Sequence, residues 1–141
     1  MNKSTPLVFF GTEDFSAASL QALLDAGWPV LAVITKPDTK SGRGRKMAPP
    51  KVKLIAQQNG IRILQPDNLA DIENDIMQIK APLGVLVAYG KIIPQSIIDL
   101  FPSGIINVHP STLPKYRGPA PIEAVILNGD KQTAVSLMGL S

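Results

Sequence analysis

The stretch LVFFGTEDFSAASLQALLDAGWPVLAVIT, residues 7–35, decides the fold. It opens on Leu7, Val8, Phe9 and Phe10, an apolar run of strand length and too short for a helix. Phe15, Ala18, Leu20, Ala22, Leu23 and Leu24 then suit a helix that begins after Thr12 and stops at Gly27. A second run rich in Val and Ile follows at 30–35. Strand, helix and strand in this order form a crossover unit, and such units join parallel strands with a right-handed turn.

The same alternation continues outward from this unit. Further strands are expected at 61–64, 84–88, 105–108 and 133–138, and helices at 52–56, 67–80, 94–100 and 121–127. The spacing predicts an α/β, Rossmann-like, doubly wound and mainly parallel sheet with helices on both faces. One long connection, 36–50, shows no obvious element, and a connection of that length in a compact domain is usually functional or disordered. Sites in such sheets lie beyond the carboxyl ends of the strands, where strand order reverses.

With 141 residues, 45% of them hydrophobic, the chain suffices for one core. No apolar stretch approaches the roughly 20 residues that span a bilayer, and the reading is of a soluble, cytoplasmic protein. The lack of cysteine excludes disulfides and thiolate metal sites, and no metal is expected. Charge is unevenly placed. Lys36, Lys40, Arg43, Arg45, Lys46, Lys51 and Lys53 face only Asp38 within 36–53, which makes that segment +6 and the remainder −3. A cationic segment on an acidic body suits a polyanionic partner, because phosphate contacts profit from clustered Lys and Arg.

Two nucleotide motifs are excluded. Gly42-Arg43-Gly44-Arg45-Lys46-Met47 lacks the third glycine of a dinucleotide fingerprint and does not directly follow a strand, and no phosphate-binding Gly-x-x-x-x-Gly-Lys-Ser/Thr is present. The informative pair is Asn107 and His109, the latter being the only histidine of the chain. Two residues apart at the carboxyl end of a strand, they project to one face. An amide can donate to a developing oxyanion and an imidazole can exchange a proton near neutral pH, which suits acyl transfer to an amine. Between Pro110 and Pro121, four prolines and Gly118 restrict the backbone to few conformations, as a pre-formed ligand wall requires.

Asn107-Val108-His109-Pro110-Ser111-Thr112-Leu113-Pro114, continued by Lys115-Tyr116-Arg117-Gly118, resembles the signature of the formyltransferases that use 10-formyltetrahydrofolate. Members of that family formylate glycinamide ribonucleotide, methionyl initiator tRNA or certain amino sugars, and a related hydrolase cleaves the formyl group. Residues 9–15, 35–38 and 88–94 look most like the branch that acts on methionyl initiator tRNA, so the resemblance runs over essentially the whole chain. It implies catalytic roles for Asn107 and His109. It also implies folate contacts from Val87, Ala88, Tyr89 and Gly90 and from Ser111, Thr112, Leu113 and Pro114, with Thr112 where the family usually has Leu. A cis bond between Leu113 and Pro114 is a further expectation. The basic loop containing Arg43, Arg45 and Lys46 corresponds to one that reaches the acceptor arm of charged initiator tRNA.

The resemblance also sets expectations about extent. Residues 1–141 match an N-terminal catalytic domain whose third catalytic group, an Asp in an Asp-x-Gly motif, and whose C-terminal tRNA-binding domain are expected beyond Ser141. A monomer is expected. The rival readings are a formyltransferase acting on a ribonucleotide or amino sugar, which has little use for a +6 loop, and a non-catalytic fragment that binds folate or RNA.

Overall fold

A computed structural model describes residues 4–44, 46–109 and 136–140. The elements in chain order are β1 (Leu7–Gly11), α1 (Asp14–Asp25), β2 (Val30–Ile34), β3 (Thr39–Ser41), β4 (Lys46–Ala48), α2 (Lys51–Gln58), β5 (Arg62–Leu64), a 3-10 turn (Leu69–Ile72), α3 (Glu73–Ile79), β6 (Leu83–Val87), α4 (Gln95–Ile98), β7 (Ile105–His109) and β8 (Ser136–Leu140). Six strands form one sheet in the order β5-β2-β1-β6-β7-β8. The first five run parallel, and β8 lies antiparallel to β7.

Alternating side chains of the strands feed two separate cores, one on each face of the sheet. On one face Leu7, Phe9, Val33, Val85 and Val87 pack under Ala17 and Leu20 of α1 and Val52 and Ala56 of α2. On the other, Val8, Phe10, Ile34 and Ile105 pack under Ile72, Ile76 of α3 and Ile97 of α4. Phe9 and Phe10 are both fully buried, on opposite faces, each burial being worth roughly 1.5–3 kcal/mol. Both cores therefore depend on β1. The crossovers through α1 and α2 step one way from β1, and those through α3 and α4 step the other way. The order reverses between β1 and β6, the arrangement expected of a doubly wound sheet.

The first turn of α1 sits close against β1. A Cβ on Gly11 would lie 2.7 Å from Ser16 Cβ and 2.9 Å from Ser16 Oγ. Ser16 is fully buried and donates to the Glu13 carbonyl at 2.6 Å. This close approach brings the α1 entry directly over the strand end.

Several expectations are corrected. The connection 36–50 holds a two-stranded antiparallel hairpin, with Thr39 opposite Ala48, Lys40 opposite Met47 and Ser41 opposite Lys46. Strands of three residues built from Thr, Lys, Ser, Met and Ala carry too little apolar alternation to be read from sequence. The expected helix 67–80 is broken into a 3-10 turn and α3. The Asn68 side chain accepts from Ala70 N at 3.1 Å and the Asn68 carbonyl from Asp71 N at 3.0 Å, tightening the start, while Ile72 at φ −110° and ψ 13° leaves helical geometry. The fourth helix shortens to Gln95–Ile98, closing through i→i+3 bonds from Leu100 to Ile97 and from Phe101 to Ile98, both 3.1 Å. The last strand is observed at Ser136–Leu140, and the helix expected at 121–127 lies outside the described residues.

Candidate active site at the carboxyl ends of the central strands

One row across the sheet runs through Ile34, Phe10, Leu86, Asn107 and Met138, each paired with the next in register. Asn107 is the only polar residue in the row, and it is half-buried. It shares its face with Ile105 and, two residues on, with His109, which is the last residue of β7, pairs with Ser136 and is 7% exposed. The strand geometry thus sets Asn107 and His109 on one face, one row apart, at the carboxyl end of the parallel strands.

Next to them the chain leaving β6 is joined to the chain leaving β1. Both Thr12 N and Glu13 N donate to the Ala88 carbonyl, at 3.0 and 3.1 Å. Ala88 has φ +49°, a left-handed conformation that costs a residue with a Cβ roughly 1–2 kcal/mol. Strain of this kind persists where the surroundings over-determine it, and it clusters at ligand clamps. Tyr89 then turns inward. It is 1% exposed, and its ring meets Phe10 edge-on at 5.9 Å and 80°. Its hydroxyl has no hydrogen-bond partner among the described residues, and burial pushes the phenol up to about 12. The phenol stays neutral at ordinary pH and is a poor candidate for proton exchange.

Gly90 follows at φ +90°, a backbone conformation that favours glycine. The side chain of Lys36 is laid along it: a Cβ on Gly90 would lie 3.2 Å from Lys36 Nζ and 3.3 Å from Lys36 Cδ. The rest of this rim is hydrogen-bonded. Lys36 N donates to Thr12 Oγ1 at 3.2 Å, beside the buried Thr35, whose Oγ1 is 3.4 Å from the same oxygen. Gln65 Nε2 donates to the Lys36 carbonyl at 3.1 Å and to Asp38 Oδ1 at 2.7 Å. Lys53 Nζ lies 3.2 Å from both Asp38 oxygens. The Gln65 hydrogen bond, with smaller help from Lys53 and against some desolvation, holds the Asp38 carboxyl below the usual carboxylate range.

The expected residues are distributed as follows. Val87, Ala88, Tyr89 and Gly90 come together with Thr12 and Lys36 at the strand ends, and Asn107 and His109 lie on the adjoining strand. Arg43 and Lys46 are exposed on the hairpin, while Arg45, Ser111, Thr112, Leu113 and Pro114, and with them the expected cis bond, lie outside the described residues. Sequence reading missed Thr12, Lys36 and Gln65 as rim residues. Their only signal was position, each within one or two residues of a strand's carboxyl end. Among the described residues, no group of His, Asp and Glu could hold a metal ion, and no helix is long and apolar enough to cross a membrane.

A doubly wound sheet with Asn and His at the end of a strand beside the reversal point is the frame of a formyl-group transferase. The family profile described as formyl transferase matches residues 5–141, and the chain belongs to that family. Its relatives include proteins named methionyl-tRNA formyltransferase. That of Desulforamulus reducens is 49% identical over 94% of this chain and 42% of its own length, and that of Buchnera aphidicola is 45% identical over 99% and 45%. The chain spans less than half the length of these relatives. Among solved structures, phosphoribosylglycinamide formyltransferase from Bacillus halodurans superposes with a TM-score of 0.75 at 19% identity, over 96% of this chain and 72% of the other. A formyltetrahydrofolate deformylase from Pseudomonas syringae gives 0.72 at 17%, over 99% and 47%. These two establish the shared fold.

Proposed function

We propose that the protein carrying this chain transfers a formyl group from 10-formyltetrahydrofolate to the amino group of methionine on charged initiator tRNA. The observation that carries the reading is Asn107, a lone amide in an otherwise apolar row, with His109 on the same face one row nearer the strand ends. An isolated polar side chain in such a row loses packing and is retained where its hydrogen-bonding capacity is used. The names of the relatives at 42–49% identity supply the substrate, and the +6 segment supplies a use for RNA that ribonucleotide or amino-sugar acceptors do not have.

The residues present fit the one-carbon donor. The backbone of Tyr89 and Gly90 makes no hydrogen bond among the described residues, and it offers donors and acceptors to the edge of a flat heterocycle. The turn at Ala88 holds those groups beside β7, and Ser111 to Pro114 carry the second wall in this reading. When bound, the folate supplies an activated formyl carbon. The Asn107 amide donates to the oxyanion that develops on the formyl oxygen as the amine attacks, and His109 stabilises the same charge or passes a proton toward the departing nitrogen. In this reading the chain is the catalytic domain of a cytoplasmic monomer, an aspartate beyond Ser141 orients His109, and a further domain adds to RNA binding.

The test is formylation by the full-length protein of charged initiator tRNA, read by mass spectrometry of the released methionine, beside glycinamide ribonucleotide as acceptor. Formyl-methionine formed only with active Asn107 and His109 is the expected result. Formylation of the ribonucleotide alone overturns it.

A further inference from the structure

We infer that the Lys36 ammonium is an RNA phosphate site on the strand-end rim, separate from the hairpin contacts. The inference rests on the reading above that the partner is RNA. Among the described cations of 36–53, Lys36 is the one whose stem lies along Gly90. Its backbone is fixed on both sides, by Thr12 Oγ1 accepting from its N–H and Gln65 donating to its carbonyl. Asp38, two residues further on, is engaged by Lys53 and Gln65. Among the described residues the Lys36 ammonium has no hydrogen-bond or ion-pair partner, so a positive charge is held ready at the strand ends on a stem laid along Gly90.

Charge placed this way acts at lower ordering cost than a lysine free in solvent, because its backbone and stem are already positioned. The chemistry that recognises it is an oxyanion. A phosphodiester fits better than a carboxylate, since Lys36 begins the cationic segment that continues through Lys40, Arg43 and Lys46, and phosphates recur along a chain whereas a carboxylate meets one point. The Lys36 site would bind the last backbone phosphate before the acceptor end reaches Asn107 and His109, positioning the amine rather than taking part in the reaction.

The experiment measures binding of a short single-stranded RNA ending in cytidine and adenosine to the full-length protein across a salt series, for the parent, Lys36→Met, Lys36→Arg, and Arg43→Ala with Lys46→Ala. Lys36→Met keeps the stem over Gly90 and removes only the charge. It is expected to weaken binding about tenfold at low salt and to reduce the salt slope by about 0.7, the value for one phosphate on a single strand, with Lys36→Arg restoring both. An unchanged slope in Lys36→Met beside a reduced slope in the hairpin variant overturns the Lys36 site and leaves the RNA reading standing. Unchanged slopes in both overturn the RNA reading itself. Loss of folate affinity in Lys36→Met with RNA binding intact assigns the ammonium to a folate carboxylate and also overturns the proposal.

Discussion

Thr12 and Ala88 are joined by a 3.0 Å hydrogen bond from amide to carbonyl across the point where strand order reverses, and the bond holds Ala88 in a left-handed turn. Two effects oppose each other if Ala88 becomes glycine: relief of about 1–2 kcal/mol of steric strain, against about 0.5–1 kcal/mol of extra chain entropy. Ala88→Gly should therefore leave the urea midpoint nearly unchanged or slightly raised. Ala88→Val, with a branched Cβ in the same conformation, should lower stability by about 2 kcal/mol. Equal effects from the two variants would show that the left-handed turn is not populated in solution.

Gly90→Ala separates strain from contact. The atoms that an added Cβ would meet are the end of Lys36, a flexible side chain that can swing aside, so the stability cost should be the backbone strain of about 1 kcal/mol. Displacing Lys36 should meanwhile weaken RNA binding as much as Lys36→Met does. A loss of stability well above 2 kcal/mol, rescued by Lys36→Ala, would mean that the lysine cannot move.

Asn107→Leu sets stability against activity. Replacing the one polar member of an apolar row should hold or raise the melting temperature, since no amide is left to satisfy. Turnover by the full-length enzyme should fall by about 10²–10³, the usual loss for one oxyanion donor. Retained turnover would remove Asn107 from the reaction. His109→Ala should also lower turnover, with little change in RNA affinity.

Tyr89 predicts an alkaline limb. Its folded-state value is raised, so the neutral phenol is favoured by folding. The stability it confers is complete below pH 10 and is lost as pH rises from 10 toward about 12, by roughly 2–3 kcal/mol. Tyr89→Phe should remove that portion of the loss. It should also match or exceed the parent at neutral pH, because the hydroxyl it deletes has no partner among the described residues. Denaturant midpoints for both proteins between pH 8 and about 11.5 decide this; parallel curves would show that the phenol is exposed or bonded.

Asp38 acts at the other end of the scale and in the opposite sense. Its carboxyl is held below its ordinary value of 3.8, so its contribution is present above that pH and lost as pH falls through the folded value. Gln65→Ala, which removes the largest cause, should flatten the acid limb of the stability curve more than Lys53→Ala does. The Asp38 and Lys53 side chains are both partly open to solvent, which screens the pair and keeps both effects small.

The parts legible in sequence were those in which one force dominates. The apolar runs at 7–10 and 30–35 set both cores, and each central strand was placed within one or two residues. Asn107 and His109 were legible because a period of two fixes a shared face once the strand is known. The hairpin was not, since its stability rests on backbone pairing between polar residues. Neither was the break at Ile72, where the Asn68 side chain competes with the helix for a backbone donor. Lys36 looked like one cation among seven. Only the path of Gly90 beneath it, set by a strand far along the chain, distinguishes it.

The central place of β1 has a consequence for synthesis. Of the strands described in the sheet, β1 is made before the other five and lies inside it, and its second edge is covered only when Leu83–Val87 has emerged to pair with it. Until then Phe10 has its sheet neighbour on one side only, and an apolar strand edge is open to the wrong partner. The nascent chain must pass through this exposed interval before its two cores can close, and an open apolar edge is the feature through which partly made chains associate.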